Sequence, residues 1–453
     1  MSVRGANGGP APGKVVAVVG GGISGIAASY SLRRRGIASE ILEQSDVLGG
    51  RIGSARLGER LVDLGGKNIG RRYHRFRQFV AACGDNPYEY FGINSSQVRD
   101  GRMVTFDSRR RWASLLDLAR RCRRRDLLRF GRMCLAVKRD EENGYLGSSY
   151  FDALAERLDD PPAGSYFGDE LCRRLVRPMS VRMNGAEPDE IYLGNFGSNL
   201  RMVLDSYDQL TLGMQRVLEQ FAQTATIRLG TRVESLVMGA GRVAGLRVTS
   251  PTGVAEERCY DGVVLATPAA TSARIAASAA RRLAELLGRV AYFPVALILA
   301  EYARDIFTSQ VRALVFDEEE PLSNAGSYGI HDLNVVRYTF SGRTARSYLC
   351  GEVDMESLLR LGEERLNRHV PVDARERLCF VGRHYELGLC AYTRHYGRFA
   401  GELQTELRAL PGLYLSGDYL CGASIEACFR ASERCAAAVA ADLAGPPHYG
   451  QCA

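Results

Sequence analysis

A strand, a glycine-rich turn and a helix near the start of the chain constrain its fold more than any other feature. Residues 14–44 contain an apolar run, the turn, a segment whose apolar residues have helical spacing and a second apolar run. This order is typical of a βαβ unit in a parallel sheet. The turn has the pattern Gly20-x-Gly22-x-x-Gly25. Gly20 permits a tight turn, Gly22 lets the backbone approach a pyrophosphate, and Gly25 lets the helix pack closely on the sheet.

An acidic residue at the end of the second strand extends this pattern. Glu43 follows Gly25 by eighteen residues, where the acid of such units holds a ribose hydroxyl. Phosphates would bind the free N–H groups at the positive end of the helix dipole, and Ser24 could donate one more hydrogen bond. A glycine-rich turn without a ligand would leave the acid unexplained. The sequence therefore predicts a dinucleotide-binding site.

Length and composition indicate a two-domain protein of the ordinary soluble class. The 453 residues are too many for one core, and hydrophobic and charged residues make up 46% and 25% of the chain. The longest strongly apolar run, 290–300, is too short to span a bilayer, and the N-terminus lacks the apolar core of a signal peptide. The twelve cysteines form no C-x-x-C pair and no metal-binding cluster with histidine. We expect a cytoplasmic protein without a bound metal.

Positive charge is unevenly distributed along the chain. The net charge is +7, and arginine supplies most of the basic residues, because the only lysines are Lys14, Lys67 and Lys138. Residues 109–139 hold twelve basic and two acidic residues. Such a stretch could touch an anionic membrane, but a solvated helix packed by its apolar side is the favoured interpretation. No aromatic ladder accompanies it, which argues against nucleic-acid binding.

A second glycine pair makes the pattern more specific. The segment "DVLGGRIGS" (46–54) places Gly49 and Gly50 before Arg51, which can reach a pyrophosphate as a bidentate cation. Together with the first turn, this segment resembles the FAD-binding start of the superfamily of flavin amine oxidases, protoporphyrinogen oxidases and phytoene desaturases. The resemblance implies that the dinucleotide is FAD.

Later segments resemble other parts of the same superfamily. Its next strand and a glycine turn beside the flavin are matched by "LVDLGGKNIG", its adenine-holding strand by "TRVESL", and the strand after that by "GVVLATP". Its C-terminal FAD motif looks like "GLYLSGDYLCGASIEACF" (412–429). The further FAD contacts that this resemblance implies are Gly65, Gly66, Val233, Ala266, Thr267, Gly417, Asp418 and Ile425.

The resemblance implies that the two ends of the chain hold one FAD. Asp418 would hydrogen-bond the ribityl or pyrophosphate region, and N–H groups near Ile425 would face the flavin. The implied fold class is α/β, with a discontinuous Rossmann-like FAD-binding domain and an interleaved substrate domain of mixed sheet and helices. The predicted segments are a flexible N-terminus at 1–12, an FAD-binding domain at 13–84, 206–289 and 384–445, a substrate-binding domain at 85–205 and 290–383, and a tail at 446–453.

The implied activity is FAD-dependent oxidation of a small molecule, with O2 or another carrier as the electron acceptor. FAD accepts a hydride at N5 from a C–H bond. Amine oxidases of the superfamily place a lysine near N5, but the matching strand at 290–302 has none, and Ser424 replaces an aromatic residue of their site. The segment 388–399 looks closer to protoporphyrinogen oxidases and desaturases. We therefore expect dehydrogenation of a C–C or C–N bond in bacterial specialised or isoprenoid- or porphyrin-like biosynthesis, with amine or amino-acid oxidation as the alternative.

Three residues are candidates for catalysis. Lys67 could contact flavin N5 or a substrate anion with a pKa lowered by burial, or it could be a structural partner of Asp63 or a phosphate. Tyr392 and His395 are candidates to line the face of the flavin, as is the neighbouring Tyr396. Three arginines of "RYTFSGRTAR" could hold an anionic substrate or form surface salt bridges, and these are Arg337, Arg343 and Arg346.

Three other functions are alternatives to this oxidation. A sugar-mutase-like flavin enzyme would keep FAD reduced and rearrange a nucleotide sugar. A flavin-free prenyl-protein carrier of the Rab GDP dissociation inhibitor kind has a similar fold, but the intact "GGR" and "SGDYL" segments argue against it. An NAD(P)H-dependent aromatic hydroxylase is disfavoured because "GGR" does not fit that group.

Overall fold

The computed structural model describes residues 13–99, 102–107 and 118–444 of the chain. Its strands, in chain order, are β1 Val15–Val19, β2 Ala38–Leu42, β3 Ser54–Leu57, β4 Arg60–Asp63, β5 Ile69–Gly70, β6 Tyr88–Tyr90, β7 Asn94–Arg99, β8 Arg102–Asp107, β9 Tyr207–Leu210, β10 Thr226–Arg228, β11 Arg232–Gly239, β12 Arg242–Thr249, β13 Ala255–Cys259, β14 Gly262–Leu265, β15 Ala291–Tyr302, β16 Ala313–Val315, β17 Leu322–Ser327, β18 Val335–Phe340, β19 Arg377–Tyr392 and β20 Leu413–Leu415. Its helices are Ile23–Arg33, His74–Cys83, Arg124–Arg139, Ser149–Leu158, Ala163–Tyr166, Asp169–Leu171, Arg177–Asn184, Phe196–Leu204, Gly213–Ala222, Ala269–Ala276, Arg281–Leu287, Met355–Asn367, Tyr396–Arg408, Asp418–Cys421 and Ile425–Ala444.

The βαβ unit predicted at 14–44 is confirmed. β1 pairs in parallel with β2 on one side and with β14 on the other. The complete sheet has the order β10-β2-β1-β14-β20, and all of its pairs are parallel. Val16 and Ala17 in its central strand point to opposite faces and are both fully buried, as expected for a parallel sheet covered on both faces. The carboxyl ends of these strands therefore meet at one edge, and Gly20, Glu43 and Ala266 follow directly there.

A second large sheet is mixed and has seven strands, which confirms the predicted α/β fold class. Its order is β19-β15-β18-β17-β16-β7-β8. Tyr338 and Phe340 of β18 are fully buried in one core cluster with Leu359 of the helix Met355–Asn367. Successive side chains of a strand point to opposite faces, so Arg337 and Thr339 of β18 lie on the other face. That face is the one left uncovered by the helix.

Three parts of the chain differ from their predicted secondary structure. The apolar spacing of 207–223 predicts a helix that begins at 207, but Tyr207–Leu210 is strand β9, which is buried between β5 and β6. The sequence of 269–287 predicts one helix, but the segment forms two, Ala269–Ala276 and Arg281–Leu287. The sequence of 84–111 predicts mostly loop, but the segment contributes β7 and β8 to the seven-stranded sheet. β7 and β9 pair with distant strands, which short-range patterns do not report.

The predicted domain division remains a prediction, and its boundary between 383 and 384 falls inside β19. In the basic stretch 109–139, residues 109–117 lie outside the described ones. The helix Arg124–Arg139 buries Met133 and Val137 in a core cluster, while Leu128 and Leu135 are exposed. Within 13–99, 102–107 and 118–444, the helices are too short or too polar to cross a membrane.

Candidate functional site

The two sheets enclose a cavity of about 1100 Å³. One part of its wall, which we name the turn end, is formed by the residues that follow the parallel strands, including Gly20, Glu43 and Asp418. The opposite part, which we name the arginine end, is formed by β17, β18 and the helix Arg177–Asn184. One cavity thus connects the predicted dinucleotide site with the uncovered face of the seven-stranded sheet.

The glycine turn has the geometry that a dinucleotide site requires. Gly20 has a φ of +104°, a value that side chains beyond glycine rarely adopt. A Cβ atom on Gly22 would meet nothing within 4 Å, so the backbone here is open to the cavity. A Cβ atom on Gly25 would collide with the carbonyl oxygen of Gly20, because the helix lies directly on the turn. The three glycines therefore have the separate functions that their spacing predicted.

Glu43 is a buried acid that is already held in position. Its Oε2 accepts a hydrogen bond from the N–H of Gly21 at 2.6 Å, and its Oε1 accepts one from the N–H of Ser45 at 2.8 Å. The N–H of Thr231 donates to the backbone carbonyl of Glu43 at 2.8 Å, which brings Val233 to the same part of the cavity wall. The acid and the predicted adenine-holding strand are therefore adjacent.

Arg51 and Asp418 join the two ends of the chain across the cavity. Their side chains form an ion pair with an N–O distance of 2.7 Å. The hydroxyl of Tyr292 donates to the other oxygen of Asp418 at 2.6 Å. Burial alone would lower the pKa of Arg51, but the charge of Asp418 keeps it above its ordinary value. Asp418 therefore depends on contacts with residues from two distant segments.

The last helix begins at the cavity wall. Ser424 and Ile425 line the cavity, and the side chain of Ser424 accepts a hydrogen bond from the N–H of Ala427 at 3.2 Å. Tyr392 does not line the cavity in the described residues, but its hydroxyl accepts from the N–H of Ala423 at 2.8 Å. Tyr392 has a φ of +67° and is buried. Its contact fixes the backbone just before the helix.

The predicted FAD contacts converge on one site. All of them except Gly25 and Gly417 line the cavity, namely Gly20, Gly22, Ser24, Glu43, Gly49, Gly50, Arg51, Gly65, Gly66, Val233, Ala266, Thr267, Asp418 and Ile425. His395 lies elsewhere: its Nε2 is 3.2 Å from a carboxylate oxygen of Asp159, beside a separate small pocket. Tyr396 is buried and donates to the carbonyl of Leu420 at 2.6 Å.

Lys67 lies in the cavity wall and is 6% exposed. Its Nζ donates to Oε1 of Gln209 at 2.9 Å and to the carbonyl of Tyr328, and it lies 4.5 Å from the centre of the Phe91 ring. Among the described residues, Asp63 is not an ion-pair partner of Lys67; its carboxylate accepts from the N–H of Met214 at 3.0 Å. Burial, followed by the charge of Arg337, lowers the pKa of Lys67 to about 7.

The arginine end contains side chains that the sequence did not single out. A π-helical turn at 172–176 leads into the helix Arg177–Asn184, and both contribute to the wall. Arg182 of this helix lines the cavity, as do Arg383 and His384 of β19. Of the three arginines named from the sequence, Arg337 lines the cavity. Arg343 and Arg346 instead pair with Asp189 and Glu190.

Comparison with known proteins identifies the family. The family described as flavin containing amine oxidoreductase matches residues 23–440. The chain belongs to this family. A candidate flavin-containing monoamine oxidase, AofH, of Mycobacterium tuberculosis is 29% identical over 264 residues, which is 53% of this chain and 54% of AofH. The chain thus spans about half of AofH, and it spans 13% of a flavin-containing amine oxidase of Oncorhynchus mykiss.

Several solved structures share the fold. A candidate protoporphyrinogen oxidase from Exiguobacterium sp. 255-15 is 18% identical with a TM-score of 0.70, covering 94% of this chain and 99% of that one. Cyclohexylamine oxidase from Brevibacterium oxydans is 16% identical with a TM-score of 0.72, covering 95% of this chain and 100% of that one. At these identities, the likeness concerns the fold.

Family membership makes the chain a flavin-dependent oxidoreductase, and its cofactor is FAD. The residues of the turn end fit that cofactor. The open backbone at Gly22 suits a pyrophosphate, the carboxylate of Glu43 suits a ribose, and Arg51 supplies a cation. The start of the helix Ile425–Ala444 offers free N–H groups at a positive dipole end.

Proposed function

We propose that this flavin enzyme dehydrogenates a C–C or C–N bond of a small molecule held at the arginine end of the cavity. The observation that carries this proposal is the shared cavity: the family's FAD-binding residues and the uncovered face of β17 and β18 line one space. When bound, FAD supplies the capacity to accept a hydride from a C–H bond. The chain must then bind the substrate, orient it and exclude water.

The charge of the wall argues against a simple cationic amine as substrate. Lys67, Arg182 and Arg337 all line the cavity. Of the carboxylates in the described wall, those of Glu43 and Asp418 are at the turn end and already accept hydrogen bonds, and that of Glu386 is exposed. A protonated amine would meet net repulsion in such surroundings. One structural neighbour is a putrescine oxidase bound to putrescine, and putrescine is a dication that this wall would not favour.

Two further features support a chemistry different from amine oxidation. The strand β15, which resembles the strand that carries the flavin-facing lysine of amine oxidases, contains no lysine. Ser424, at the position of their aromatic residue, caps the last helix instead. These differences favour an acidic or neutral substrate.

Lys67 is the side chain that we assign to proton transfer or charge stabilisation during the reaction. Gln209 and Tyr328 accept two of its N–H groups, which fixes the amine in the wall. The remaining hydrogen-bonding position of the Lys67 amine is left for a group in the cavity. Since the pKa of Lys67 is about 7, the amine can hold or release a proton near neutral pH.

The test is an anaerobic screen of candidate metabolites against the FAD-loaded protein. A substrate should bleach the flavin absorbance without added reductant, and air or another acceptor should restore it. Lys67→Ala should retain FAD but slow this reduction by at least about tenfold, equivalent to about 1.4 kcal/mol of activation free energy. Unchanged reduction would remove Lys67 from the chemistry. A substrate that is rearranged only by prereduced enzyme, with no net bleaching, would contradict dehydrogenation and favour a mutase.

A further inference from the structure

Two arginines at the arginine end have no partner among the described residues. Arg182, in the last turn of the helix Arg177–Asn184, and Arg337 of β18 both line the cavity. Within 13–99, 102–107 and 118–444, no carboxylate lies within 4.0 Å of either guanidinium, and neither guanidinium forms a hydrogen bond. Both side chains are partly buried. The cavity wall therefore contains two partly buried cations that have no directly paired carboxylate among the described residues.

The surroundings of Arg337 leave room beside its side chain. On β17, the residue directly opposite Arg337 is Gly326, which also lines the cavity and has no side chain to cover the guanidinium. Thr339, two residues along the same strand, lines the cavity too, beside Asn324 of β17. This face of the sheet therefore offers one cation and several neutral polar groups to a ligand.

Burial and mutual repulsion make this arrangement costly without a ligand. Burial lowers the pKa of Arg182, and burial followed by the charge of Arg182 lowers the pKa of Arg337. The charge of Arg337 in turn lowers the pKa of Lys67. Arg177, on the same helix as Arg182, shows the contrast, because its guanidinium is buried and pairs with Glu187 at 2.7 Å. Arg182 and Arg337 lack such a direct carboxylate partner.

We propose that Arg182 and Arg337 together bind an oxyanion of the substrate, a carboxylate or a phosphate ester, and so make this enzyme selective for acidic molecules. A guanidinium offers fixed N–H donors that match two oxygen atoms, and two such groups can hold both faces of one anion. This inference rests on the proposed function, because it places the substrate at the arginine end. The oxyanion anchors the substrate through a group that does not react.

Binding of simple probes to the FAD-loaded protein tests this proposal without turnover. Benzoate, phenyl phosphate and the neutral amide benzamide are titrated by calorimetry at constant ionic strength. We expect the preferred anion to bind wild-type protein at least about tenfold more tightly than benzamide, which is 1.4 kcal/mol. Arg182→Gln and Arg337→Gln should each lose most of this preference. Arg360→Gln is the matched control, because Arg360 is exposed and pairs with Glu356 at 2.7 Å.

Each outcome decides for or against the inference. A preference for benzoate assigns the oxyanion to a carboxylate, and one for phenyl phosphate assigns it to a phosphate ester. Equal binding of both anions and benzamide would overturn the proposal, as would a full preference in both glutamine variants. Arg337→Lys, which keeps the charge, should retain part of the preference, and the flavin absorbance verifies that each variant is folded. Since these probes are not oxidised, anion selectivity can stand even if the screen for flavin bleaching fails.

Discussion

The turn end and the arginine end of the cavity differ in whether their charged side chains have hydrogen-bond and ion-pair partners. At the turn end, Glu43 accepts hydrogen bonds from two backbone N–H groups, and Asp418 is paired with Arg51 and Tyr292. At the arginine end, Arg182 and Arg337 have no such partners in the described part of the chain. Buried charges are costly unless they are paired, so the two ends differ in stability when no ligand is bound.

The turn end is therefore preorganised for its ligand, whereas the charges of the arginine end are compensated only when a ligand binds. The turn end has its polar groups oriented before FAD binds, which reduces the entropy lost on binding. The arginine end retains uncompensated charge, which costs stability but increases the benefit of binding an anion. Functional sites commonly carry such a cost. Substitutions at the arginine end should therefore behave unlike substitutions at paired charges.

The largest expected effect compares two arginines of one helix. Arg177→Gln leaves the carboxylate of Glu187 buried without its cation, so it should lower the free energy of unfolding by about 3–5 kcal/mol. Arg182→Gln removes a cation that has no counterion, so it should change that free energy by less than about 1 kcal/mol, or raise it. Urea denaturation monitored by circular dichroism measures both. A loss of several kcal/mol in Arg182→Gln would mean that Arg182 is a structural residue.

The glycine turn provides the next contrast, at the other end of the cavity. In Gly25→Ala the new Cβ would collide with the carbonyl oxygen of Gly20, so the backbone must shift at a cost of about 1–3 kcal/mol. In Gly22→Ala the Cβ would enter open cavity space, so the stability of the FAD-free protein should hold while FAD affinity falls. Thermal unfolding of the apoprotein and FAD titration separate the two effects. Equal losses of stability would contradict the assigned functions of these glycines.

How far the sequence predicts the site depends on how local its signals are. Gly20, Gly22, Gly25 and Glu43 form one βαβ unit, so their spacing along the chain determines their positions in space. The glycine pair before Arg51 indicates a cation for the pyrophosphate, and the structure adds the pairing of Arg51 with Asp418. The parallel sheet explains this success, because strand ends that are distant in sequence meet at one edge.

The arginine end was largely beyond prediction. Arg182 is one of many arginines and no local motif marks it, while its position depends on how the π-helical turn at 172–176 directs the next helix. His395 was a candidate from the sequence but does not line the cavity. It follows Tyr392 closely in sequence, yet it faces Asp159 outside the cavity. β7 and β9 were missed because strand pairing with distant segments stabilises them. Contacts of this kind leave no periodic signal in the chain.

The charge of Lys67 makes the arginine end sensitive to pH. Its folded pKa of about 7 is below its ordinary value of 10.5, so between these values the unfolded chain binds a proton that the folded protein lacks. Stability should therefore rise with pH across this range, and Lys67→Met should remove that part of the rise. The charges that act on Lys67 are those of Arg337, which lowers its pKa, and of Asp63, Asp332 and Glu89, which raise it.

Loss of the proton from Lys67 should also weaken the binding of anions by the protein. As the pH increases from 6 to 8, Lys67 loses its charge, and the affinity for benzoate, which stays ionised throughout, should fall by up to about tenfold, or 1.4 kcal/mol. Lys67→Met should bind the anion weakly at both values with little pH dependence. Calorimetry at constant ionic strength provides the measurement. A wild-type affinity that is flat from pH 6 to 8 would exclude Lys67 from the anion's surroundings.

The smallest expected effect concerns the hydroxyl group of one tyrosine at the turn end. Tyr292→Phe removes the donor to Asp418, together with the acceptor for the N–H of Ala269 at 3.2 Å, and should weaken FAD binding by about 1 kcal/mol, since Arg51 still pairs with the carboxylate. The matched control is Tyr414→Phe, which removes a similar bond of 2.6 Å to Asp442 away from the cavity wall. That variant should lose similar stability but keep its FAD affinity. If both variants lose the same FAD affinity, the effect is one of general stability, and Asp418 does not depend on Tyr292 for its position.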